Sequence, residues 1–221
     1  MAVRFGGNDS TLDSPTITGT ITMDGSVGIP NTGDLYYSNS QKSFCVQEPM
    51  GTAYGMGLSK VLYSDFVGSA AIANTTTETN FAFQSSPTVL ANSLTVGKKI
   101  EVTISGIVSD TLTPTLTLKF YLGSVQLLTT GAVTLGASLA NQMFQMNVGF
   151  TVRELGSSGL VMPDGTVTIG GVLTPVAFEG VTAASTVNTT VDQIIKFSAQ
   201  FSAANAANTI TGNVLTVKVL G

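Results

Sequence analysis

The chain has 221 residues, one cysteine and no histidine, and Asp, Glu, Lys and Arg make up only 10% of it, with a formal net charge of −4. Ordinary globular domains carry about 25% charge, so Ser, Thr, Asn and Gly must supply most of the polar surface. A lone thiol, Cys45, allows neither an internal disulfide nor a thiolate metal centre. Without imidazole the commonest general base, the commonest zinc ligand and any Ser-His-Asp triad are excluded, and an acidic balance gives no general attraction for nucleic-acid phosphates.

Residues 1–34 are rich in Gly, Ser, Thr, Asp and Pro, and begin without the apolar stretch of a signal peptide. Within them, Thr16-Ile17-Thr18-Gly19-Thr20-Ile21-Thr22-Met23 alternates like a strand. A strand without its own sheet must add to another edge, so 1–34 are expected to form an extended anchoring arm. Residues 35–67 read as a small β and loop connecting region. Leu35-Tyr36-Tyr37 and Ser43-Phe44-Cys45-Val46 are expected to form a hairpin, Pro49 to Gly57 a loop, and Leu58 to Phe66 a further short strand. Cys45 is read as a small apolar core residue.

From residue 68 onward the alternation becomes regular. Phe81 and Phe83, Ile100 to Ile104, Leu116 to Leu122, Phe144 to Val152, Ile195 to Phe201 and Leu215 to Val219 each place apolar residues at every second position, and Val125 to Thr130 returns quickly after Gly123-Ser124. Such runs bury one face of a strand. Gly123-Ser124 predicts a hairpin, and Pro163-Asp164-Gly165 a turn between Leu160–Met162 and Val167–Ile169. About eight strands with turn signals between them predict an all-β, jelly-roll or β-sandwich domain over 68–221, with very little helix. Val133 to Leu139 is the nearest approach to a helical pattern, and Gly136 weakens it. No run of 18 uncharged apolar residues exists for a spanning helix, and with no Trp and five Tyr the girdles of a membrane barrel are missing.

Residues that could carry chemistry are few. Asp24, Asp34, Asp65, Glu101, Glu154, Asp164, Glu179 and Asp192 could supply the carboxylate pair of a glycosidase, but they are scattered and read better as turn residues. Gly51 to Lys60 does not match a phosphate-binding loop. Asn8, Asn74 and Asn188 fit the N-x-[ST] acceptor pattern as chance matches. Oxygens near Asn8-Asp9 or Asp24 could contact calcium, though no spacing demands it. Tyr36, Tyr37, Tyr54 and Tyr121 could stack on sugars, but read first as packing residues. The expectation is no catalytic residue, no cofactor and no metal site.

Leu12-Asp13-Ser14-Pro15 followed by the Thr/Ile repeat resembles strands of phage fibre and spike proteins. Thr115 to Ser124, with Thr129-Thr130-Gly131 and Phe144 to Arg153, is similar to jelly-roll domains of tailed-phage virion proteins. The resemblance implies a TNF-like jelly roll that forms homotrimers, tethered to the particle by its arm. On that basis the expected function is a capsid decoration or cement protein. Its partners would be itself and the major capsid protein, with neither nucleic acid nor membrane, and it would be made in the host cytoplasm and carried in the virion. A receptor-binding head or tail fibre tip touching host glycan is the alternative, and a glycan-active enzyme is a third reading, with Glu101, Glu154 and Glu179 as its residues to test. Phe5, Ile17, Ile21 and Met23 of the arm, with Tyr54 and Met56 of the loop, are the expected interface residues.

Overall fold

A computed structural model describes the strands Leu35–Ser38, Ser43–Gln47 and Ala53–Gly55, then residues 60–172, 176–179 and 183–220, with side chains from Val61 onward. The chain divides into two compact units, Met1–Leu58 and Ser59–Gly221. In the first, β1 (Leu35–Ser38), β2 (Ser43–Gln47) and β3 (Ala53–Gly55) form an antiparallel sheet in that order. β1 and β2 pair as the expected hairpin, from Leu35 opposite Val46 to Ser38 opposite Ser43.

The second unit runs through β4 (Lys60–Asp65), β5 (Ile72–Ala73), β6 (Thr79–Asn80), β7 (Thr88–Val89), β8 (Lys99–Ser109), β9 (Thr115–Leu122), β10 (Val125–Thr129), β11 (Val133–Thr134), β12 (Gln142–Glu154), β13 (Gly159–Ile169), β14 (Ser185–Val187), β15 (Gln193–Phe201) and β16 (Thr209–Leu220). Among the described residues there is no helix, and Val133–Thr134 is strand. One sheet has the order β14-β13-β12-β8-β16-β4, with β5 also on β16. The other has the order β10-β9-β15-β6, with β7 and β11 at its margins. Numbered along the chain, the eight principal strands β4, β6, β8, β9, β10, β12, β15 and β16 stand as 1-8-3-6 in the large sheet and 2-7-4-5 in the small one. That is the double Greek-key order of a jelly roll, with the β13–β14 segment added beyond β12.

Strict alternation builds the core. Ile100, Val102, Ile104 and Val108 of β8 and Phe144, Met146, Val148, Phe150 and Val152 of β12 face inward from the large sheet. Leu116, Leu118, Phe120 and Leu122 of β9 and Ile195, Phe197, Ala199 and Phe201 of β15 meet them from the small one. Each large side chain so buried contributes about 1.5–3 kcal/mol against conformational entropy. Two glycines shape the centre: Gly106 of β8 lies directly between Phe144 of β12 and Gly212 of β16. A Cβ on Gly106 would collide with the Thr211 carbonyl and the Phe144 ring, and one on Gly212 with the Phe83 ring. The space they leave seats Phe81, Phe83 and Phe144, with the Phe81 centroid 6.4 Å from Phe83 and 5.9 Å from Phe144.

Three expectations are corrected. Phe81 and Phe83, expected as an alternating strand, follow β6 outside any strand, although the Phe81 amide still donates to the Phe197 carbonyl (3.0 Å), and both rings pack beside Gly212. Pro163-Asp164-Gly165 is no turn. It lies within β13, opposite Phe150, Gly149 and Val148 of β12. Proline is tolerated on edge strands, and beyond Val161, where pairing to β14 stops, β13 is an edge. The segment 60–67, expected in the connecting region, supplies β4, which pairs with β16 inside the sandwich.

Candidate interaction surface

The solvent face of the large sheet is set by the residues that alternate with the core. Across it run Thr166, Asn147, Thr103, Thr216 and Ser64 in one row. Beside them lie Thr168, Gln145 and Ser105. The Thr103 hydroxyl donates to Asn147 Oδ1 (3.0 Å), so neutral groups partly satisfy one another. A half-buried antiparallel sheet normally presents polar side chains outward. Here one end breaks that rule. Met143 stands opposite Ile107, and Val214 is carried outward by a bulge after Gly212, opposite Ser105. Phe66 follows Asp65, which pairs with the next residue, Leu215. Phe66 is 82% exposed, Val67 69%, Met143 59% and Val214 39%. The result is an apolar stripe crossing β12, β8, β16 and the end of β4. Exposed apolar patches rimmed by polar residues mark protein contacts. Among the described residues β4 pairs with β16 alone, which leaves one row of its backbone donors and acceptors without a neighbouring strand.

Charge gathers at the other end of the same face. Lys99 Nζ lies 3.1 Å from Asp164 and 3.6 Å from Glu101. The Asp164 carboxylate beside it raises the Lys99 pKa, against the opposing effect of burial. Among the described residues, Glu101 and Asp164 are the only two of the candidate glycosidase carboxylates that share a partner, and that partner is a cation standing between them on open sheet. Glu154 is five residues further along β12 from Gly149, the neighbour of Glu101, or about 17 Å away. Glu179 pairs through its backbone with Thr129 at the end of β10. Asp192 accepts the Ala91 amide (2.8 Å) as a loop tie.

Two carboxylates act as clamps. Asp65 is buried. Its oxygens accept the Val67 amide (2.9 Å), the Gln84 amide (2.8 Å) and the Tyr63 hydroxyl (2.9 Å). Burial alone would raise its pKa, but these donors outweigh burial and lower it. Glu78, which the sequence did not single out, lies on the outer face of the small sheet. Oε1 accepts hydroxyls from Tyr121 and Ser198, each at 2.6 Å, and Oε2 accepts from Lys119 Nζ at 2.5 Å. Burial works against the charge, yet the three donors and the ammonium charge hold its pKa down to about 2. Lys119 is raised by the same pairing, and Tyr121 by burial and the adjacent carboxylate. All three groups are thereby held in the charged or hydrogen-bonded form at neutral pH, as in a structural tie and unlike an acid–base pair poised near pH 7. Lys196 Nζ lies over the Tyr121 ring at 5.5 Å, so the one described tyrosine of the sugar-stacking set has its hydroxyl tied and a ring face covered.

A cavity of about 280 Å³ lies under residues 80–87, walled by Phe81, Phe83, Pro87, Ile195, Phe197 and Leu215. That is smaller than the usual 300–1,000 Å³ of small-molecule sites. Among the described residues no group of three or more Asp, Glu or Cys is placed to hold a metal. Phe5, Ile17, Ile21, Met23, Met56, Asp24, Asp34 and the Asn8-Asp9 pair lie outside the described residues, as do the side chains of Tyr36, Tyr37, Cys45 and Tyr54. No family model matches the chain, and neither a curated protein nor a solved structure matches it.

Proposed function

We propose that this chain is a structural subunit of a tailed-phage particle, a homotrimer that decorates the shell and ties neighbouring capsid subunits together. The observation that carries this reading is the solvent face of the large sheet, neutral across its middle rows and crossed at one end by exposed Phe66, Val67, Met143 and Val214. Interface cores are depleted of charge and enriched in aromatic side chains and Met. Thr, Ser, Asn and Gln surfaces cost far less to desolvate than ionic ones. We assign the apolar stripe to the contact between copies. The phage shell enters through the resemblance of the jelly-roll strands and the arm to virion proteins. Contacts repeated around a trimer add through effective concentration, so no single one has to be strong.

Light scattering of the full chain tests the assembly. A trimer is expected at micromolar concentration, and Phe66→Ser combined with Val214→Thr is expected to give monomers with an unchanged circular-dichroism spectrum. A stable wild-type monomer would overturn the trimer. Heads prepared without the protein test the shell assignment. Adding the protein back should raise their resistance to heat, while adsorption to cells stays the same. Restored adsorption with no change in head stability would mark a receptor-binding fibre instead.

A further inference from the structure

One end of the sandwich holds a buried charge that the clamps do not explain. The segments that follow Ser109, precede Gln142 and precede Thr209 meet there, since Gln142 pairs with Val108 and Thr209 with Ser109. Asp110 sits at the junction and is only 4% exposed. Its backbone N–H donates to the Leu139 carbonyl (3.0 Å), and its Oδ1 accepts the Leu139 amide at 2.6 Å. Its other oxygen, Oδ2, is buried and has no partner, and neither does the buried hydroxyl of the next residue, Thr111.

The neighbouring polar side chains bond to other groups. Asn208 is 1% exposed. It accepts the Thr111 amide through Oδ1 (3.1 Å) and donates through Nδ2 to the Ala203 carbonyl (3.0 Å). Ser109 and Asn141 are bonded to each other, with the Asn141 amide donating to Ser109 Oγ at 2.9 Å and Ser109 Oγ lying 3.4 Å from Asn141 Oδ1. None of the three ion pairs among the described residues involves Asp110. A buried carboxylate with a free oxygen and no counter-charge is a costly arrangement, and folded proteins supply it with a partner.

The geometry points to a binding site for a calcium-class cation at Asp110 and Thr111. The free atoms are a carboxylate oxygen and a hydroxyl oxygen on consecutive residues, and oxygen donors suit hard divalent cations. Calcium accepts irregular shells completed by water and main-chain carbonyls, whereas magnesium demands a near-ideal octahedron. A bound cation would neutralise the buried charge and lock together three loops that are 29 and 97 residues apart along the chain. The site is separate from the apolar stripe and stands whether or not the chain trimerises.

The test uses the full chain stripped with EGTA. Equilibrium dialysis against radioactive calcium should count one ion per chain. At a hundredfold excess over Kd the melting temperature should rise by about 5–10 °C relative to EGTA. Asp110→Asn, which keeps the shape and the Leu139 hydrogen bond, should lose both the ion and the rise. Thr111→Val should weaken binding several-fold while the fold stays intact, and it decides the matter if the Asn variant does not fold. Wild type that binds no calcium at millimolar concentration would overturn the site. Binding that is unchanged in Thr111→Val and, where it folds, in Asp110→Asn would place the ion elsewhere and overturn it equally.

Discussion

Glu78→Gln is the most informative single perturbation of the jelly roll. The carboxylate receives Lys119, Tyr121 and Ser198 on two strands of the small sheet, and so fastens the segment before β6 to β9 and β15. Its pKa falls from 4.5 in the unfolded chain to about 2 in the fold. A tenfold change in proton affinity is worth about 1.4 kcal/mol. The full difference would be about 3 kcal/mol, but Glu78 keeps 32% of its side chain exposed, and solvent screening reduces the expected contribution to about 1–2 kcal/mol. The sign follows from proton binding. Between pH 4.5 and about 2 the unfolded chain holds a proton on Glu78 that the native state does not, so stability is fully present above pH 4.5 and is lost as pH falls towards 2. Gln keeps one acceptor, removes the charge and cannot titrate. Urea unfolding should therefore find the variant about 1–2 kcal/mol less stable than wild type at pH 7, with the gap closing between pH 4.5 and about pH 2. Other carboxylates titrate in the same range, but they are common to both proteins and cancel in the difference. A gap that stays constant from about pH 6 to about pH 2.5 would refute the assignment of Glu78 as an ionised clamp.

Gly106→Ala should destabilise the sandwich by about 1–3 kcal/mol, the usual cost of forcing a methyl into a full core, because the new Cβ meets the Thr211 carbonyl and the Phe144 ring. Thermal denaturation reads this as a drop of several degrees, and an unchanged midpoint would mean that β8 and β16 separate easily there. Phe144→Ala empties the same place from the other side and should cost about 3–5 kcal/mol, measured by the same unfolding curves.

Much of the architecture is legible in the residue order. Apolar residues at every second position from Ile100 to Val108, Leu116 to Leu122 and Phe144 to Val152 can be buried together only in extended backbone, so both the strands and their inward faces follow from the sequence. The same parity already put Asp110 on the inward side, five steps of two after Ile100. Parity also put Val214 on the outward side, one before Leu215. Those two anomalies were visible in principle as a charge at a core position and an apolar residue at a surface one.

Local chemistry was least reliable where it competed with pairing. Pro163-Asp164-Gly165 has the composition of a turn, yet β12 supplies a partner for every one of those residues and the edge position spares Pro163 its missing donor. Phe81 and Phe83 have the spacing of a strand, but the void above Gly106 and Gly212 exists only once β8 and β16 lie side by side.

What the sequence determined by itself is an all-β chain, poor in charge, whose alternating residues demand a two-layer core. Only the tertiary structure decided the jelly-roll order, because period-2 alternation says which face is buried and nothing about which strand lies beside which. It also decided the polar sites. Glu78 meets Lys119 across 41 residues and Ser198 across 120, and Asp110 meets the Leu139 amide across 29. Such groupings depend on how the two sheets fold over each other, which no local pattern encodes.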